Sequence, residues 1–206
     1  MNEKFVINIG RQLGSGGRAI GEKLAEEFGI GFYDKELIQI ASKESGLGKE
    51  FFEKVDEKES HSFFGGLLGL RANVNSEVYA NNYLCNETFF KIQSDVIREL
   101  AEKESCVFVG RCADYILRDN TRIINVFITA NTDDRVKRIA QSHELSLEKA
   151  QVLIVKTDKK RAEYYNFYSN KVWGAAESYH LCINSSVLGI DETVAFIRRF
   201  IEQKLG

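Results

Sequence analysis

The stretch that most restricts what this chain can fold into is residues 4–29, KFVINIGRQLGSGGRAIGEKLAEEFG. A short apolar run, a glycine-rich turn and a helical repeat follow one another without a break. Successive glycines let a backbone turn so that several N–H groups converge on one anion, and the helix that follows adds its positive end. The usual phosphate-cradling pattern is G-x-x-x-x-G-K-[ST]. With Gly16 at the glycine before the lysine, Gly17 falls on the lysine position and Arg11 on the first glycine. Slid by one residue, Arg18 falls on the lysine position and Gln12 on the first glycine. Neither register places a hydroxyl after the basic position. The backbone cradle of Gly14, Ser15, Gly16, Gly17 and Arg18 is therefore expected to persist with altered side-chain chemistry. Arg11 or Arg18 then supplies the charge, since guanidinium binds phosphate well. The competing reading is a tight turn with no ligand.

The rest of the chain repeats the alternation. Residues 4–9, 106–110, 124–129 and 179–184 read as short apolar strands. Between them lie helical patterns at 17–28, which Gly29 and Gly31 terminate, at 35–44, which Asp34 caps, and at 49–59. Phe32-Tyr33 reads as a short extended piece. Residues 75–104 predict one long helix or two abutting ones, a helix of about two turns follows 110, and Thr132 or Asp133 caps the next. Residues 146–170 predict helices dense in Lys, Arg and Tyr, and 191–204 a terminal amphipathic helix. The stretch 60–73, SHSFFGGLLGLRAN, reads as a loop that orders on binding. Strands alternating with helices indicate a parallel sheet covered on both faces, with ligands at the carboxyl ends of the strands. That directs attention to 10–18, 110–114, 129–135 and 184–187.

Composition excludes several classes. A chain of 206 residues with 44% apolar content makes a single domain with a real core. A net charge of −2 argues against coating nucleic acid or an acidic membrane, but the 28 Lys and Arg can cluster locally. Cysteines at 85, 106, 112 and 182 form no CxxC pair, which fits a reduced, cytoplasmic setting without disulfides or zinc. No signal peptide is visible at Met1, and no apolar run approaches the roughly 20 residues that span a bilayer. His61, His143 and His180 have no ligand or triad spacing, so no metal site is expected from protein side chains.

Four further stretches carry charge or polarity near strand ends. Arg111, in Gly110-Arg111-Cys112-Ala113-Asp114, opens a helix after CVFV and is placed to hold a phosphoryl group or to make a surface salt bridge. Arg135 and Arg138 share a helical face, positioned for a triphosphate or for solvent. Asp158 and Arg161 also share a face, in a basic, aromatic helix that is either a lid over phosphates or a solvated surface. Asn184-Ser185-Ser186 offers polar groups for a base, or a plain turn. Cys112 reads as buried rather than nucleophilic.

Taken together, "IGRQLGSGGRAIGEKLAEEFGIGFYDKELI", "VFVGRCADYIL", "DKKRAEYY" and "WGAAESYHLCINSSVLGIDETV" resemble the cytidylate kinase-like family, a branch of the phosphate-loop nucleoside monophosphate kinases. The resemblance runs in order along most of the chain. It implies a three-layer α/β/α fold with a parallel sheet, a monophosphate-binding insertion near 34–104 and a helical lid near 142–170. It implies transfer of the γ-phosphoryl of ATP to a nucleoside monophosphate such as CMP, helped by Mg²⁺. Gly14–Arg18 fall on the phosphate loop; Arg11 and Arg135, read from the residues above and not from the resemblance, are further candidates for the donor side. Asp34 falls on the monophosphate side, Arg111 on the arginine of a G-R-D motif, and Asp158 and Arg161 on the lid pair. Arg18, Arg111, Asp158 and Arg161 are the expected catalytic set. Two positions depart from the family: the loop lysine is absent, and Cys112 stands in place of the aspartate after that arginine. The rival readings are a nucleotide sensor without transfer, and a dimeric interaction module using Phe63, Phe64, Leu67, Leu68 and Leu70.

Overall fold

The computed structural model describes residues 3–35, 38 and 76–206, with side chains of 76–86 excluded. The expected helix 49–59 and loop 60–73, with its five apolar residues, lie outside the described residues, as does most of 35–44. The chain divides into two compact units, Met1–Lys35 with Leu100–Gly206, and Glu36–Glu99.

The first unit is built on five parallel strands. They are β1 (Val6–Arg11), β2 (Gly31–Tyr33), β3 (Cys106–Val109), β4 (Ile123–Thr129) and β5 (Leu181–Asn184), in the order β2-β3-β1-β4-β5. Because β1 lies between β3 and β4, the strand order reverses there, and a crevice opens beyond its carboxyl end. The core follows from alternation along the strands. Ile7, Ile9, Val107, Val109, Ile124, Val126 and Ile128 point to one face. There they meet Ile20, Leu24 and Ala25 of α1 (Gly17–Phe28) and Val194, Ile197 and Ile201 of α6 (Ser185–Leu205). Each fully buried aliphatic chain of this kind contributes about 1.5–3 kcal/mol of transfer free energy.

In chain order, α1 is followed by α2 (Ser76–Lys103), α3 (Ala113–Ile116), α4 (Thr132–Ser142) and α5 (Leu147–Ser169) before α6. Of the two readings of 75–104, the described residues show one helix, Ser76–Lys103. Four expectations shift. The Phe32-Tyr33 piece joins the sheet as edge strand β2, with Phe32 in register with Val107. The helix after residue 110 is a single turn, for the backbone of Asn120 then turns back to Leu117 and its side chain accepts from the Arg122 N–H at 2.8 Å. The last helix starts at Ser185 instead of 191, because Asn184 Oδ1 accepts from the Ser186 N–H at 3.0 Å, an N-cap bond. Gly189 then breaks the helix with φ 76° and ψ 175°, so the pattern from 191 is its second segment. The cap of α4 is Asn131, whose side chain turns to Asn184 at 2.9 Å. No helix among the described residues is long and apolar enough to cross a membrane.

His180 ties β5 to β4. Its Nδ1 accepts from the Asn125 N–H at 2.8 Å, and its own N–H donates to the Asn125 carbonyl at 2.8 Å. Burial, aided by Lys204, holds its pKa below the usual histidine value. A depressed histidine contributes stability that is full above the unfolded value, about 6.5, and is lost as pH falls below it. The melting temperature is therefore expected to drop between pH 7 and pH 5 by more in the wild type than in His180→Asn, whose amide oxygen accepts the same bond without titrating. Parallel pH profiles in a thermal-melt series would refute this.

Candidate functional site: a clamped glycine loop at the sheet switch point

The loop from Arg11 to Gly16 leaves β1 at the switch point and enters α1 through Gly16, whose φ of 79° is left-handed. Every carbonyl in this loop accepts a hydrogen bond from the protein. Arg161 Nη1 donates to the Arg11 carbonyl at 3.1 Å. The Ser15 N–H and hydroxyl donate to the Gln12 carbonyl at 3.3 and 2.8 Å. Arg135 Nε donates to the Leu13 carbonyl at 2.7 Å, and Arg138 Nη1 to the Gly14 carbonyl at 3.1 Å. The Ser185 hydroxyl donates to the Ser15 carbonyl at 2.7 Å, and the Ile20 N–H to Gly16 at 2.9 Å.

This arrangement has a direct electrostatic result. Across a trans peptide the N–H of the next residue points opposite to the C=O. Drawing the carbonyls of Leu13 and Ser15 outward turns the N–H groups of Gly14 and Gly16 to the inner side. Gly16 caps α1 without a side-chain oxygen, so the first-turn N–H groups of Gly17 and Arg18 keep their outward direction. The helix end adds a partial positive charge. Such a surface attracts an anion and repels a carbonyl or carboxylate of its own chain.

The clamp comes from the α4–α5 hairpin, held together by Ile139, Ala150 and Ile154 with Leu13 packed against them. Asp158 is its centre. Its Oδ1 accepts from the Leu13 N–H at 2.8 Å, its Oδ2 pairs with Arg135 Nη2, and Arg161 Nη1 lies 3.9 Å away. Burial, reinforced by neighbouring Arg135 and opposed by Asp158, holds the Arg161 pKa below its usual value. The two candidates Asp158 and Arg161 thus meet at the loop, and Arg135 meets them there.

Arg18 goes elsewhere. Its Nε pairs with buried Asp34 Oδ2 at 2.9 Å and its Nη1 with Glu22 Oε1 at 2.6 Å, with the guanidinium over the Phe32 ring. The structure therefore joins Arg18 and Asp34, beside β2. Arg11 crosses in the other direction. Its Cβ lies against Gly17 and its guanidinium against Gly110, at the end of β3. Arg111 follows, with φ 63°, and its guanidinium stacks on the Tyr164 ring of α5 at 5.2 Å. Its Nε is buried and donates no hydrogen bond among the described residues. A non-glycine residue held at positive φ is uncommon, and such residues cluster at functional sites.

Cys112 is buried, and burial together with Asp114 pushes its thiol up to about 12, against Arg111, so it is inert as a nucleophile. Asp114 is also buried and accepts from the Tyr165 hydroxyl at 2.7 Å, and burial raises its pKa despite that bond. Asn184, Ser185 and Ser186 are occupied structurally, by α6 capping, the Ser15 carbonyl and the Asn131 N–H. Among the described residues no group of three His, Cys, Asp or Glu is placed to hold a metal ion. Sequence reasoning did not anticipate Arg135 and Arg138 as donors to loop carbonyls. Their shared face was visible, but their targets lie 122 and 124 positions away.

The sequence model of the cytidylate kinase-like family matches residues 6–187. Cytidylate kinase of Pyrococcus horikoshii is 23% identical over 202 residues, covering 97% of this chain and 90% of the relative. That of Thermococcus kodakarensis is 24% identical, covering 96% and 88%. Among solved structures, an uncharacterized protein from Eubacterium ventriosum superposes with a TM-score of 0.73 at 29% identity, covering 97% of this chain and 99% of that one. Shikimate kinase from Bacteroides thetaiotaomicron superposes with a TM-score of 0.53 at 15% identity, covering 96% and 98%, a likeness of fold. The architecture is a three-layer α/β/α fold on a parallel sheet. With the match running through the glycine loop, the Arg111 turn and the hairpin alike, the chain belongs to the cytidylate kinase-like family.

Proposed function

We propose that the protein is a nucleotide kinase-type phosphotransferase that moves the γ-phosphoryl of ATP to a nucleoside monophosphate, with CMP the first acceptor to test. One observation carries this reading: the carbonyls of Arg11, Leu13, Gly14 and Ser15 are each drawn to a side chain of α4, α5 or α6, which supports a loop whose Gly14, Gly16 and Gly17 N–H groups face a triphosphate. Membership of the family and the names of its archaeal relatives support the choice of acceptor.

Phosphoryl transfer needs in-line positioning and charge neutralisation more than covalent help. The N–H groups of Gly14, Gly16 and Gly17 bind the donor phosphates. Asp158, Arg135 and Arg138 hold the loop in shape, and Arg161 adds positive charge behind it. Arg111 neutralises the transferring group from the end of β3, and the Arg18–Asp34 pair orients the acceptor. Mg²⁺ bound with ATP would supply further charge neutralisation. A cytoplasmic setting belongs to the same proposal.

A second reading, a sensor that binds nucleotide without transfer, draws on one fact. Arg18, in the lysine register, is engaged by two carboxylates. A coupled assay with ATP, Mg²⁺ and a panel of monophosphates separates the two. Transfer is expected, with Arg111→Ala lowering kcat by about 10²–10³-fold. ATP affinity without transfer to any acceptor selects the sensor.

A further inference from the structure

We propose that Arg11 supplies the positive charge that phosphate loops ordinarily take from the lysine after their last glycine, an inference that rests on the phosphotransferase reading above. In the register that places Gly17 on the lysine position, Arg11 stands on the first glycine. A Cβ at Gly17 would lie 2.5 Å from Arg11 Cβ, 3.1 Å from its Cγ and 3.4 Å from Ile128 Cβ. A lysine at 17 and an arginine at 11 therefore exclude each other. The missing lysine is the condition under which the arginine side chain fits along the loop.

The other end of the side chain also has a neighbour. The Arg11 guanidinium rests on Gly110, where a Cβ would collide with Nη1 and lie 3.0 Å from Cζ. Gly110 has φ 81°, and Arg111 and Cys112 continue in the left-handed region at 63° and 57°. At its origin, Arg11 is fixed by its place on β1 in register with Ile128 and by the Arg161 bond to its carbonyl. The guanidinium is thus delivered to the mouth of the crevice between β1 and β3, one residue from Arg111.

Arg18 is the other candidate, and its place argues against it. Its guanidinium is spread over Asp34, Glu22 and Phe32, away from β3. The loop lysine of the usual pattern reaches the β- and γ-phosphates. A guanidinium does the same work with two parallel N–H groups on phosphate oxygens. In the transfer itself, an acceptor phosphate oxygen forms the new P–O bond as the bond from the γ-phosphorus to the β–γ bridging oxygen breaks. ADP leaves with that electron pair, and Arg11 keeps its proton throughout, balancing charge only.

The test uses the whole protein and inorganic tripolyphosphate, read by titration calorimetry, with adenosine as control and ATP-to-CMP transfer measured alongside. Arg11→Gly is expected to weaken tripolyphosphate binding about ten- to a hundredfold, the loss of a charged hydrogen-bond pair. Adenosine affinity stays unchanged. Gly17→Lys alone, with Arg11 present, also weakens it, because the two side chains collide. The Arg11→Gly/Gly17→Lys double variant is expected to recover most of the wild-type affinity. Arg18→Ala raises the acceptor KM while tripolyphosphate affinity holds. Should Arg11→Gly fail to fold, Arg11→Lys is expected to fold and to lose affinity by a smaller factor. Wild-type tripolyphosphate affinity in the Arg11 variants, or a double variant as weak as the product of its singles, overturns the assignment while leaving the kinase reading intact. A wild-type protein that binds neither tripolyphosphate nor ATP overturns both.

Discussion

Gly14→Ala is expected to abolish measurable ATP binding, a loss of about 10²-fold or more, while the protein still folds, with a stability cost of about 1–2 kcal/mol for a left-handed alanine. The two effects have separate causes. Gly14 sits at φ 77°, where a side chain is strained whatever surrounds it. Its Cβ would lie 2.8 Å from the Arg135 carbonyl oxygen and 3.0 Å from Arg135 Cα. These are backbone atoms of α4, and no rotamer change moves them. The loop itself has to shift, which parts the Leu13 carbonyl from Arg135 Nε and the Gly14 carbonyl from Arg138. Once those carbonyls are released, the peptides rotate and the N–H groups of Gly14 and Gly16 lose their common direction. Calorimetric titration with ATP, beside a urea melt, checks both. If the loop is only a turn, the melt shifts and ATP affinity does not.

The second large effect is expected at Arg135→Ala. Its side chain is 8% exposed, and it bonds in two directions at once, from Nε to the Leu13 carbonyl and from Nη2 to Asp158. Removing it leaves a shielded carboxylate with the Leu13 N–H and a distant Arg161 as its described partners. Breaking one partner from a buried pair costs about 3–5 kcal/mol, a large fraction of a typical domain's 5–15 kcal/mol. Arg135→Lys is expected to recover little, since an ammonium cannot serve two acceptors at the angle of a guanidinium fork. Asp158→Asn keeps an acceptor for the Leu13 N–H and lowers the charge mismatch, so it costs less. Urea unfolding of the three variants checks the order, and a loss below about 1 kcal/mol for Arg135→Ala would contradict the clamp.

Much of this is legible in the sequence. KFVINI, CVFV and INVFIT are apolar without alternation, as strands buried on both faces must be, and each proved central in the sheet. The glycines at 14 and 16 mark the two positive-φ positions of the loop. Burial of Cys112 followed from its place after a central strand. What escaped was set by distance or by marginal length. Phe32-Tyr33 is too short to carry a periodic signal, and it is a strand because β3 offers it a free edge. The start of α6 was hidden by Gly189, which reads as a terminus and is a kink. The roles of Arg135, Arg138 and Ser185 were beyond reach, because their partners are backbone carbonyls. Carbonyls are the same at every residue and leave no trace in the sequence. Arg18 fitted the lysine register by count, yet Asp34 and Glu22 draw it to β2.

The central claim is that the inner surface of residues 14–17 is lined by N–H groups waiting for an anion. Amide-resolved NMR during titration with tripolyphosphate and with ATP tests it directly. Large downfield proton shifts at Gly14, Gly16 and Gly17, the same for both ligands and absent with adenosine, are the expected result. Saturable ATP binding that leaves these three amides unmoved would contradict it.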